Sequence, residues 1–250
     1  MMLFLRSLAF NIVYVGTVGF FALAVAVVAP FHREWGVKVA ECWVDLVFWS
    51  LQHICRIDWR IEGRENIPAE PAIAYWKHQS AWETLAQLKV FPKQSWVLKR
   101  ELMWIPLIGQ ALLAIKPIAI DRKSGHTAVN QVVNGGTKRM LDDGMWVMIF
   151  PEGTRMPPGT TRRYGISGAL LAEKTGRPII PVAHNAGDFW RRNAFLKHPG
   201  TIQVRVGRPM YPDGSKPEDF NREIQAWMEA RMREISPGYA GRVLEKGQRR

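Results

Sequence analysis

From Ser7 to Phe31 the chain carries 25 consecutive residues without a charged side chain. As one helix this run would be roughly 37 Å long, enough to cross a hydrocarbon core with some tilt. Three readings compete for it. It is a membrane-embedded or transmembrane helix, a cleaved signal peptide with Arg6 as the basic region and Ala24-Val25-Ala26 as the cleavage site, or a buried core helix. The next stretch, Trp35 to Ile57, favours the first reading. It is again apolar, with Val39, Trp43, Leu46 and Val47 at helical spacing. Its few charges and its tryptophans suit a helix at the lipid–water interface. A signal peptide needs no such second helix. Residues 1–57 are therefore predicted to form a two-helix membrane-associating platform, bent at Pro30 and His32. The alternative makes Trp35–Ile57 the first core helix of the folded domain.

Charge separates this segment from the rest. The 250-residue chain has a formal net charge of +12 and a pI near 10.0. Residues 1–57 hold Arg6, Arg33, Lys38 and Arg56 against Glu34, Glu41 and Asp45, so 4 − 3 = +1 lies there and +11 beyond. Such a surplus argues for an anionic partner. Two cysteines make no disulfide framework, and no Cys/His cluster suggests zinc. A reducing, cytosol-facing compartment follows. A nucleic-acid binder would also be basic, but neither a recognition helix nor interleaved basic and aromatic strands are visible.

After Arg56 short apolar runs alternate with helical patterns. Strands are expected at Ile57–Glu62, Ala72–Trp76, Ser95–Leu98, Ile118–Ile120, Met145–Phe150, Ile179–Val182 and Ile202–Val206. Helices are expected at Ala81–Val90, Glu101–Trp104, Thr127–Asp142, Gly168–Thr175 and Pro217–Glu234, with Gly135-Gly136 weakening the third. This alternation predicts an α/β domain over residues 58–240, a mixed central sheet flanked by helices. A basic tail, residues 241–250, is expected to fray.

Four short motifs carry candidate chemistry. In Trp76-Lys77-His78-Gln79-Ser80-Ala81-Trp82-Glu83, His78 and Glu83 are five residues apart. On one helix they would point about 140° apart. With His78 in the strand exit and Glu83 in the first helical turn they can meet, and a carboxylate then orients the imidazole as a general base. Ser80 and Glu83 also read as a capping box, in which case His78 is only a solvated loop residue. Phe150-Pro151-Glu152-Gly153-Thr154-Arg155 follows a buried strand. Gly153 permits a tight turn whose N–H groups, beside Arg155, can cradle a phosphate; the alternative is an ordinary turn. Lys99-Arg100-Glu101-Leu102 ends another strand, with Pro106 and Gly109 beyond. Asp121-Arg122 is a fourth polar pair at a strand end.

Taken in order, HxxxxE, KxELxxxPxxG, FPEGTR and the strand ending Ile180-Pro181-Val182 resemble the glycerophospholipid acyltransferase superfamily, most closely its bacterial 1-acyl-sn-glycerol-3-phosphate acyltransferases. The resemblance covers about residues 60–210, and the two-helix platform looks like this family too. It implies that His78 takes the proton from the acceptor's sn-2 hydroxyl and that Glu83, where the family usually has Asp, holds the imidazole. It implies that Lys99 and Arg155 bind the acceptor phosphate, with Glu152 and Gly153 shaping the same pocket. Lys77 replaces the family's usual Asn and is expected to depress the His78 pKa through like charge. The implied substrates are lysophosphatidic acid and an acyl thioester, either acyl-CoA or acyl carrier protein, with no metal or other cofactor. The implied location is the cytoplasmic face of the inner membrane. Other acceptors, glycerol-3-phosphate or a lyso-aminolipid, and hydrolysis of a lipid by the same His–Glu pair are the alternatives.

Overall fold

The computed structural model describes residues 1–245. Two helices, α1 (Met2–Val28) and α2 (Arg33–His53), open the chain. Strands β1 (Ile57–Glu62) and β2 (Ile73–Trp76) lead to α3 (Trp82–Val90) and β3 (Gln94–Lys99). A 3-10 turn at Arg100–Trp104 and the short α4 (Ile108–Leu112) precede β4 (Ile118–Ile120), α5 (His126–Leu141) and β5 (Trp146–Ile149). Then come β6 (Thr160–Thr161), α6 (Ser167–Thr175), β7 (Ile179–His184), α7 (Ala186–Phe189), β8 (Gly200–Val206), α8 (Pro217–Ile235) and β9 (Arg242–Val243).

Seven strands form one sheet in the order β1-β8-β7-β2-β5-β3-β4. The block from β7 to β4 is parallel, and β8 joins β7 antiparallel, so the sheet is mixed as expected. The central strands are buried on both faces, and their alternation splits them between two cores. Ala72, Ala74 and Trp76 face one side with Trp82 and Leu51 of the flanking helices. Ile73 and Tyr75 face the other, against α5, α6 and α8. The glycines in α5 do not break it. A Cβ on Gly136 would meet Leu171 Cδ2 at 2.4 Å, so the glycine permits the close approach of α6.

The N-terminal helices are not a separate layer. Phe10, Val44, Val47 and Leu51 belong to the same core as Trp76 and Trp82. The inner face of α2 is thus a core helix, while Trp35 and Trp49 remain exposed. Among the described residues, α1 is the one helix long and apolar enough to cross a membrane. It is docked at both ends. Lys197 donates its N–H to Ser7 Oγ at 2.9 Å, Asn11 Nδ2 donates to the Phe195 carbonyl at 3.1 Å, and Ala22 and Val25 pack towards α4. Its outer face shows Phe4, Leu8, Ile12, Val15, Phe20, Leu23 and Val27 to the surroundings. The expected helix at Glu101–Trp104 is a 3-10 turn, followed by a γ-turn in which Ile108 N–H donates to the Pro106 carbonyl at 2.8 Å. The start of the expected basic tail pairs instead, Arg242 and Val243 lying beside Thr160 and Thr161. Residues 246–250 of that tail lie outside the described residues.

Candidate active site

Because β7, β2, β5, β3 and β4 run parallel, their C-terminal ends share one edge of the sheet. Open α/β sheets bind ligands outside that edge. Every candidate residue from the sequence motifs leaves the sheet there: His78 after β2, Glu152 to Arg155 after β5, Lys99 at the end of β3 and Arg122 after β4.

His78 and Glu83 meet. The strand stops at Trp76 and the helix starts at Trp82, so Lys77 to Ala81 form the bend that a continuous helix would forbid. Glu83 Oε1 accepts the His78 Nδ1–H at 2.9 Å and the N–H groups of Gln79 and Ser80 at 2.8 Å each. The second oxygen also reaches the Ser80 N–H, at 3.0 Å. The capping reading and the functional reading are therefore one structure, since the carboxylate that caps the helix is thereby aimed at the imidazole. Ser80 Oγ accepts the Trp82 N–H at 3.1 Å and completes the cap. Burial pushes the Glu83 carboxyl up, but the His78 bond, the neighbouring histidines and the Ser80 N–H outweigh it and hold it below its ordinary range. Burial likewise holds the His78 imidazole below its usual value against the raising effect of Glu83, and the charges of Arg155 and Arg122 add to the lowering. At neutral pH His78 is uncharged, carries its hydrogen on Nδ1 and has a lone pair on Nε2. Phe150 stacks on the ring at 4.0 Å between centroids and limits its rotation.

The turn after β5 places three of its residues differently. Gly153 adopts a left-handed φ of +68° and is exposed, and its N–H closes the turn on the Phe150 carbonyl at 2.9 Å. Arg122 donates to the Gly153 carbonyl. The Arg155 Nε is buried and has no hydrogen-bond partner among the described residues. A half-buried guanidinium with an unused donor, close enough to His78 to affect its proton affinity, is free to take an anionic ligand. Glu152 turns inward. It is almost wholly buried, accepting the Lys77 ammonium at 2.7 Å and the His78 backbone N–H at 2.9 Å. The expectation that Glu152 shapes a phosphate pocket gives way to a place behind His78, where its charge meets a lysine. The Lys77 expectation changes with it. Lys77 is fully buried and neutralised by Glu152 and Glu229, and the like charges that lower the His78 pKa are Arg155 and Arg122. Lys99 ends β3, two strands from β2, and is half-exposed in a 2.9 Å ion pair with Glu101. Such an exposed pair is worth at most about 1 kcal/mol and yields to a better anion.

Arg122 stands in the motifs only as half of a polar pair at a strand end, and one site residue, His184, lies outside them. His184 closes β7 just beyond the apolar run that marked that strand. Its Nδ1 accepts the Ala186 N–H at 3.3 Å, so Nε2 carries the hydrogen and donates to the Lys77 carbonyl at 2.7 Å.

Next to this edge lies an apolar cavity of about 160 Å³. Phe21 and Val25 of α1, Trp43 of α2, Leu85 and Leu88 of α3, and Ala111 close to the end of α4 line it. Thr84, the neighbour of Glu83, is also on its wall. Through Thr84, Leu85 and Leu88 the chamber adjoins the helix that carries Glu83.

Known proteins resemble this chain in sequence and in fold. The family model described as Acyltransferase matches residues 58–185. A 1-acyl-sn-glycerol-3-phosphate acyltransferase of Pseudomonas aeruginosa is 40% identical over 225 residues, 89% of this chain and 86% of that protein. The 1-acyl-sn-glycerol-3-phosphate acyltransferase alpha of Bos taurus is 29% identical over 177 residues, 70% of this chain but only 61% of its own length. The crystal structure of the 1-acyl-sn-glycerophosphate acyltransferase PlsC of Thermotoga maritima superposes with a TM-score of 0.74 over 93% of this chain and 98% of that one, at 21% identity.

Proposed function

The chain belongs to the acyltransferase family, and on that premise we propose that it moves an acyl chain from a thioester to the sn-2 hydroxyl of 1-acyl-sn-glycerol-3-phosphate, making phosphatidic acid. The observation that carries this reading is the buried His78–Glu83 pair beside the unpartnered donor of Arg155. His78 Nε2 takes the hydroxyl proton as the oxygen attacks the thioester carbonyl. Collapse of the tetrahedral species breaks the C–S bond, and the imidazolium returns the proton to the departing thiolate. Glu83 holds the ring in the productive tautomer and stabilises the imidazolium while it exists. General base catalysis of this kind contributes about 10²–10⁴-fold.

Direct attack needs no acyl-enzyme. Cys42 is exposed on α2 and Cys55 is buried after it, while the Ser80 hydroxyl is committed to the helix cap. Arg155, Arg122 and Lys99 receive the acceptor phosphate, which removes the need for a metal. The apolar cavity takes acyl chain, and acyl-CoA or acyl carrier protein brings it. The outer face of α1 lies in lipid. Because α1 is held by the domain near Ser7 and Asn11 and again near Ala22 and Val25, a helix embedded along one leaflet fits these contacts better than a free span. The basic surface then rests on the anionic headgroups of the cytoplasmic leaflet.

Labelled lysophosphatidic acid, glycerol-3-phosphate and a lyso-aminolipid, each offered with acyl-CoA or acyl carrier protein, test the reading. Phosphatidic acid from the first acceptor, lost in His78→Ala, is expected. Unchanged product from His78→Ala, or preference for another acceptor, would refute the mechanism or the substrate respectively.

A further inference from the structure

The peptide between Lys77 and His78 is gripped at both polar atoms. Its carbonyl accepts from His184 Nε2 at 2.7 Å, and its N–H donates to Glu152 Oε2 at 2.9 Å. The His78 carbonyl in turn accepts the Met156 N–H at 2.7 Å. Behind this grip sits an ion cluster. The other Glu152 oxygen meets Lys77 Nζ at 2.7 Å, and Lys77 Nζ meets Glu229 Oε1, from α8, at 2.8 Å. Glu229 also accepts from Thr161 Oγ1 at 2.8 Å and from the Tyr239 hydroxyl at 2.6 Å. All of these side chains are buried.

We propose that Lys77 and Glu229 are positioning residues of the reaction: through Glu152 they fix the direction in which His78 leaves the sheet, so that the last helix aligns the base without touching substrate. The inference rests on His78 being the base. One buried ammonium bridging two carboxylates, with hydroxyl donors fixing the second, ties the last helix to Glu152 through strong bonds that tolerate little movement, which makes the cluster a stiff support. Stiffness matters here because a misplacement of about 1 Å costs about 10²-fold in rate.

Glu229→Gln tests this and leaves Lys77 balanced by Glu152. Its kcat is expected to fall about tenfold while the KM for lysophosphatidic acid stays within about twofold, because Glu229 is buried behind His78 with its oxygens committed to Lys77, Thr161 and Tyr239. Tyr239→Phe removes the 2.6 Å donor but keeps the charge, and is expected to lose kcat about threefold in the same pattern. Met228→Ala, buried on the same helix outside the cluster, serves as the comparison. It should lower Tm at least as far yet keep its kcat. The proposal is overturned if Glu229→Gln and Tyr239→Phe keep kcat within twofold, or if Met228→Ala loses as much at equal loss of Tm. A wild type that makes no phosphatidic acid overturns the function reading and this inference together. An active wild type, an inactive His78→Ala and an undiminished Glu229→Gln overturn this inference alone.

Discussion

Replacing Glu83 by Gln isolates the charge from the shape. Oε1 now receives three donors, from His78, Gln79 and Ser80, while Oε2 receives only a share of the Ser80 N–H. The glutamine oxygen therefore takes the Oε1 place. Its NH₂ then faces the Ser80 N–H at about the present 3.0 Å, donor against donor. The imidazole keeps its tautomer but loses the anion that would stabilise its protonated form. A charge-assisted hydrogen bond is worth about 1.5–3 kcal/mol against about 1 for a neutral one, and the donor clash adds about 1 kcal/mol. A barrier higher by about 1.5–3 kcal/mol follows, or a kcat lower by about 10- to 160-fold. The pH profile must move as well. Activity requires neutral His78 and so declines as pH falls through its pKa. Glu83 raises that pKa, so its removal shifts the acid limb to lower pH. Initial rates of phosphatidic acid formation from pH 5 to 8, at saturating donor, measure both effects. A Gln variant with more than a third of the wild-type kcat, or an acid limb moved upward, would refute the role given to Glu83.

Four further outcomes are expected. Arg155→Ala should raise the acceptor KM about 10- to 150-fold, the worth of one or two charge-assisted bonds, and steady-state kinetics with lysophosphatidic acid reads it. Phe20→Glu with Leu23→Glu, on the exposed face of α1, should release the protein from anionic vesicles in a flotation assay without lowering Tm in detergent. Ala111→Phe should fill part of the apolar cavity and shift donor preference to shorter chains, read by competition between acyl-CoAs. Lys197 is buried, and burial pulls its ammonium down to about 8. The folded state therefore disfavours the charged form, and stability should rise between pH 8 and 10.5. Lys197→Met should flatten that rise in a thermal melt series.

The elements that could be read directly were those whose cause is local. β5, Trp146–Ile149, is an unbroken apolar run, and α3 announces itself through Ser80 and Glu83. Even the meeting of His78 with Glu83 follows from a five-residue spacing across a strand exit. What stayed hidden depends on contacts far apart in the chain. Nothing near Lys77 shows that Glu229, 152 residues away, neutralises it, so like-charge repulsion with His78 was the natural local inference. Glu152 is next to Gly153 in a loop motif, and only the sheet geometry turns one inward and leaves the other at the surface. β6 and β9 are two residues each and are made by their partner alone. The apolar cavity is lined from four helices, from Trp96 of β3 and from the turn before β4, and has no linear signature at all.

The docking of α1 also sets an order in time. Phe10 packs edge-on against Trp190, and Ser7 binds the backbone of a residue 190 positions later. At about 5–20 residues per second of synthesis, the helix waits roughly 10–40 s for those partners to emerge. During that interval the inner face of the helix, including Phe10, has none of these later partners to cover it. The bilayer is the medium suited to shelter it. A chain synthesised where no lipid is at hand should therefore aggregate before its catalytic sheet can close over the helix.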